Sequence, residues 1–135
     1  GDGPRIRDIV IAAGAVNPIA DLLDQVTTGQ SFTRNASWTL SNFCRGRPAP
    51  DIEKVKRCLP SLARVLIQND QEDIIGDICW AMSYISDNGK SAIPLILACG
   101  VLPRIVQLLE HPTLAVAVSC LRTIGNVLTG DDNQT

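Results

Sequence analysis

Apolar residues fall along this chain in two kinds of helical block, and each kind comes round three times. The first kind is "GAVNPIADLL" (14–23), "RCLPSLARVL" (57–66) and "GVLPRIVQLL" (100–109), which align without gaps at steps of 43 residues. Ile19, Leu62 and Ile105 coincide, as do Leu22, Val65 and Leu108, and Leu23, Leu66 and Leu109. The second kind steps by 42: Ala36, Leu40 and Phe43 correspond to Ile78, Met82 and Ile85, and then to Cys120, Ile124 and Val127. Positions i, i+4 and i+7 share one side of a helix, so each triplet predicts a buried stripe. Ser41, Ser83 and Gly125 keep one position small in every copy, which predicts that a neighbouring helix backbone comes close there. The breakers "RGRPAP", "SDNGK" and "TGDDN" end the three stripes.

A third, shorter helix is expected before each pair, at about 5–13, 51–58 and 91–99, with Pro94 tolerated in the first turn of the last. A unit of roughly 42 residues with one short and two longer helices cannot bury its apolar faces alone, whereas stacked units share a continuous core. This length and content fit armadillo or HEAT repeats. The expected fold is therefore all-α: an α-solenoid, or armadillo superhelix, of three stacked three-helix repeats at approximately 4–47, 48–89 and 90–132 of a single 135-residue solenoid fragment. Gly1 and Asp2 stand at the same phase of the repeat as Gly130 and Asp131, as in a piece cut from a longer array. Neither end reads as a polar capping repeat, and the two open apolar faces predict self-association.

Three pairs of residues remain outside the stripes. Trp38 with Asn42, Trp80 with Tyr84, and Arg122 with Asn126 are each four positions apart, so each pair shares a helix face, and stacking sets the pairs side by side along one groove. A tryptophan at helical spacing is more often core than ligand-binding. Here the stripe is already filled, and Asn42 would be costly to bury without partners. The argument is weaker for Trp80 and Tyr84, because tyrosine also packs well in cores. An exposed asparagine both donates to and accepts from an extended peptide backbone. Neighbouring indoles make slots for a Lys or Arg stem, and Asp77, one turn before Trp80, is placed to neutralise its charge. Arg122, standing where the other copies have Trp, would repel a further cation and divide the groove in two.

Charge and cysteine content narrow the function. A net charge of -2 and a pI near 5.2 argue against general attraction to nucleic acid. The five cysteines, Cys44, Cys58, Cys79, Cys99 and Cys120, form no CxxC, are odd in number and mostly lie in apolar runs, which reads as reduced thiols and an intracellular chain. On the same reading the "NAS" sequon at Asn35 goes unused. "IVIAAGAV" after Arg5 and Arg7 is too short for a signal peptide and has a counterpart in "LILACGVL", and no run reaches the ~18 apolar residues of a membrane span. His111, the one histidine, precedes Pro112 with no Cys or carboxylate motif around it, and no Gly-rich phosphate loop occurs. An enzyme, a metal site or a cofactor is therefore not expected.

At the paired positions the chain resembles the importin alpha family of armadillo adaptors. "RNASWTLSNFCRG", "CWAMSYISD" and "LRTIGNVLTGDDNQT" look like three consecutive third helices from the middle of that family's array, approximately its fourth to sixth repeats. The order Trp/Asn, Trp/Tyr, Arg/Asn is peculiar to that family. The resemblance implies that Trp38 and Asn42 belong to the major groove for classical nuclear localisation signals, with Arg45, Asp77 and Trp80 at its edge. It implies that Tyr84, Arg122 and Asn126 lie in the linker region and the start of the minor groove. Basic signal peptides of cargo proteins are the implied partners, with importin beta binding a segment outside this chain, no nucleic acid and no membrane, and residence in cytoplasm and nucleus. Two rivals stand beside this reading: a structural armadillo or HEAT scaffold, and a catenin-like binder of acidic peptides, which would need a basic groove.

Overall fold

The computed structural model describes residues 3–25, 29–88 and 90–132, and among them it is built of α-helices with no strand. Three units follow one another: α1 Gly3–Ala12, α2 Val16–Leu23 and α3 Gln30–Cys44; then α4 Ile52–Val55, α5 Cys58–Gln68 and α6 Glu72–Ser86; then α7 Ile93–Ala98, α8 Leu102–Gln107 and α9 Leu114–Asp132, with a 3-10 turn at Leu108–Glu110 after α8. The third helix is the longest of each unit. The expected order of one short and two longer helices holds only in the middle unit: α1 is longer than α2, and α7 and α8 are both 6 residues long. Pro94 sits in the first turn of α7, where no helical hydrogen bond needs its nitrogen.

Stacking follows the apolar stripes. The closest packing joins α3 to α6 and α6 to α9, so the three long helices lie side by side as one wall of the solenoid. Leu40, Ile78, Met82 and Ile85 are fully buried behind that wall with Leu62, Leu66 and Ile105. The third stripe departs from expectation: Cys120 is buried, but Ile124 and Val127 are only half-buried. Nothing among the described residues packs beyond α9, so its stripe is covered from one side. Gly125 corrects a further expectation, since it is exposed and a methyl group there would meet nothing within 4 Å. At its counterparts the small side chain turns back on its own helix: the Ser41 hydroxyl donates to the Ser37 carbonyl at 2.7 Å, and that of Ser83 to the Trp80 carbonyl at 2.8 Å.

Arginines join units at helix ends, where the last carbonyls lack helical partners and the helix dipole favours a cation. Arg64 on α5 donates to the Leu23 carbonyl at the end of α2 at 2.8 Å. Arg104 on α8 donates to the carbonyls of Leu66 and Asn69 at the end of α5, both at 2.9 Å. Within the first unit the buried Arg7 donates to the Arg45 carbonyl at 2.8 Å, closing α3 against α1. Gly14 and Gly100 occupy the same repeat position and turn the chain between first and second helices at φ of 89° and 71°, a left-handed conformation that favours glycine. In the middle unit Arg57 takes that position at φ -59°, and its guanidinium reaches Asp21 and Asp24, both at 2.8 Å.

Candidate functional site

The wall of long helices carries the paired residues outward. On α3, Trp38 is 58% exposed, and Asn42, one turn on, is half-buried with no hydrogen-bond partner for its carboxamide among the described residues. On α6, Asp77, Trp80 and Tyr84 occupy successive turns of the facing side. Trp38, Asn42, Arg45, Asp77, Trp80 and Tyr84, with Ser41 at the floor, line one recess of about 170 Å³. Five of the seven residues that sequence patterning selects are thus brought together, with Arg45, which only the family resemblance implied.

Trp80 is half-buried, less open to water than Trp38. Tyr84 lies against it with ring centroids 6.0 Å apart, and the Arg122 guanidinium sits 5.7 Å from the Trp80 ring centroid, within cation–π range. The Trp80 ring thus already meets a cation on its α9 side. Trp80 also lines the recess beside Trp38.

Asp77 supplies the negative charge of that recess, which Arg45 also lines. No ion pair or hydrogen bond holds its carboxylate among the described residues, and partial burial, with the nearby negative charge of Asp73, raises its pKa above the ordinary 3.8. Asp73 moves the other way, lowered by its hydrogen bond from Arg34. An ammonium or guanidinium group entering between the indoles would meet a carboxylate that lacks a counter-ion.

The last pair is divided. Arg122 borders a neighbouring recess of about 450 Å³, shared with Arg45, Arg47, Tyr84, Asp87 and Asn88. Asn126 lines neither recess: its amide donates to the Ser83 carbonyl at 3.3 Å and the Ser86 hydroxyl at 3.0 Å, tying α9 to α6. A free backbone-clamping amide at Asn126 is therefore corrected, because its donors are already engaged. Patterning also passed over Arg47, Asp87 and Asn88, which sit in "RGRPAP" and "SDNGK" and read only as breakers. Arg47 pairs with Asp87 at 3.5 Å across the two loops, and the Asn88 amide nitrogen is buried with no partner among the described residues. The lone histidine has a structural job, its Nδ1 accepting the Thr113 N–H at 3.0 Å.

Comparison with known proteins gives fold and family together. The Armadillo/beta-catenin-like repeat family matches residues 3–45. A designed armadillo repeat protein, solved in complex with the peptide (KR)4, superposes with a TM-score of 0.77 at 23% identity, covering 92% of this chain and 51% of that one. Importin subunit alpha-1a of Oryza sativa subsp. japonica is 49% identical over 134 residues, 99% of this chain and 25% of the relative. Importin subunit alpha-3 of Arabidopsis thaliana is 47% identical over 131 residues, 97% of this chain and 24% of the relative. The chain spans about a quarter of the length of these curated relatives. Alike to them over nearly every residue and built on the armadillo fold, it belongs to the importin alpha family.

Proposed function

We propose that this chain is the groove-bearing part of a nuclear import adaptor that binds extended basic peptides, the classical nuclear localisation signals of cargo proteins, and moves between cytoplasm and nucleus. Importin beta is the second partner that this reading implies. The observation that carries the reading is the Trp38–Trp80 recess, with its unpaired Asp77 carboxylate and the free Asn42 carboxamide one turn from Trp38. A Lys or Arg stem there gains apolar burial and a cation–π contact, together about 1 to 3 kcal/mol. A backbone clamp by Asn42 adds about 0.5 to 1.5 kcal/mol. Association costs exceed any one such slot, so a run of basic residues is favoured over a single one. The Arg122 guanidinium beside Trp80 ends that run by repulsion.

A fluorescent Lys/Arg-rich peptide, titrated into the chain at two salt concentrations, tests the reading. Quenching of tryptophan fluorescence and weakening by salt are expected, and Trp38→Ala should cost about 1 to 2 kcal/mol of binding. Absence of binding would favour the scaffold, and preference for an acidic peptide would favour the catenin-like reading.

A further inference from the structure

Cys79 on α6 and Cys120 on α9 hold their thiols in a shared hydrogen bond, Sγ to Sγ 3.6 Å, and each residue is 1% exposed. They come from successive long helices and adjoin the groove: Cys79 precedes Trp80, and Cys120 lies two residues before Arg122, whose guanidinium covers that indole. Two other thiols are engaged by their own helices. Cys44 donates to the Leu40 carbonyl at 3.4 Å and Cys99 to that of Ile96 at 3.1 Å.

We propose that Cys79 and Cys120 form a reversible dithiol–disulfide couple that cross-links α6 to α9 when a small hydroperoxide, such as hydrogen peroxide, reaches them. The two sulfurs need to close from 3.6 Å to a bond of about 2.05 Å.

Their environments divide the labour. The hydrogen bond with Cys79 holds the Cys120 thiol below its ordinary range, with help from the Ser119 hydroxyl and the Arg104 charge, while burial opposes. Cys79 is pushed strongly upward by the same hydrogen bond and by burial.

The Cys120 thiolate attacks one peroxide oxygen, the O–O bond breaks, hydroxide leaves, and a sulfenic acid forms. With its proton passing to the sulfenic hydroxyl in the same step, the Cys79 sulfur attacks the sulfenyl sulfur as a thiolate. The S–S bond forms as the S–O bond breaks, and the protonated hydroxyl leaves as water. Two thiols and one hydrogen peroxide give one disulfide and two waters: the sulfurs lose two electrons and the peroxide gains them. Because both thiols are buried, the rate follows transient separation of α6 from α9. The bridge then fixes the spacing of these helices where Arg122 meets Trp80.

Peroxide treatment of the whole chain, followed by alkylation and non-reducing tryptic digestion, tests the proposal. The expected product is segment 65–90 joined to segment 105–122, lighter by two hydrogens and separated again by dithiothreitol. Its thermal midpoint should exceed that of the reduced chain. Cys120→Ser should abolish the linked pair and Cys44→Ser should leave it. If Cys120→Ser fails to fold, Cys79→Ala gives the same comparison. Recovery of Cys79 and Cys120 as alkylated thiols after Cys99 has been oxidised would overturn the proposal, as would linkage only between separate chains. None of these readouts requires peptide binding, so a failure here is distinct from a failure of the groove reading.

Discussion

Asp77 is where stability and binding pull in opposite directions. Its pKa is raised in the folded chain, so folding takes up protons between the ordinary 3.8 and the raised value. The stability tied to this carboxyl is therefore greatest below that interval and is lost as pH rises through it; at neutral pH the charge is a cost. Asp77→Asn should raise the thermal midpoint at pH 7, and the gain should shrink as pH falls through the raised value. Comparing variant with wild type cancels the opposite trend of Asp24 and Asp73, whose pKa values are lowered by arginine partners. A bound Lys or Arg favours the ionised carboxylate, so complex formation should release protons from Asp77. Affinity for a basic peptide should weaken on acidification in the wild type, and in Asp77→Asn it should be weaker but flat across that range. Calorimetric titration at several pH values checks both; an unchanged midpoint with unchanged affinity would remove Asp77 from the recess chemistry.

At the scale of helices, two asparagines at equivalent repeat positions do different work. Asn42 on α3 is free in the recess, whereas Asn126 on α9 is spent on the Ser83 carbonyl and the Ser86 hydroxyl of α6. Asn126→Ala should cost about 1 kcal/mol of stability in denaturant unfolding, with little effect on peptide affinity at the Trp38 recess. Asn42→Ala should do the reverse. Equal behaviour of the two variants would restore the simpler picture of a repeated clamp. This difference marks what a single sequence reveals. The 42-residue spacing was enough to set Trp38, Asn42, Asp77, Trp80 and Tyr84 on one wall, because helical period and repeat length decide which side of the stack a residue faces. It could not show that Arg122 would reach the Trp80 ring, or that Asn126 would find Ser86. Those contacts depend on how far α9 sits from α6, and side-chain reach across an interface leaves no periodic trace. Arg47, Asp87 and Asn88 stayed illegible for a related reason: loops that bring two units together have no stripe to read.

For the molecule as a whole, the same stacking that builds the core leaves apolar faces at both sides of the described chain. On α9, Leu114, Leu121 and Leu128 are 77%, 62% and 64% exposed, and Val118 and Gly125 complete a stripe between them. The α6 residues one repeat earlier include Cys79 and Ser83, which meet α9, so this is the side on which a further helix would pack. On α1, Ile6, Ile9 and Val10 are exposed, and Ile6 and Val10 line a recess of about 540 Å³ that also reaches Phe43 and Asn42. Apolar surface of this extent is unusual on a monomer. The α9 face is the repeat counterpart of the α6 surface that meets α9, and Ile6 and Val10 on α1 correspond to the buried Ala92 and Ile96 of α7, so head-to-tail contact between copies is favoured over a two-fold pairing of like faces. A head-to-tail contact leaves one face of each kind open, so mass should keep rising with concentration in sedimentation equilibrium instead of stopping at a dimer. Leu121→Lys with Leu128→Lys should shift the distribution toward monomer, because it places charge on one of the two faces every contact needs. A plateau at twice the chain mass would point to like-with-like pairing, and a constant monomer mass would show that these faces tolerate water.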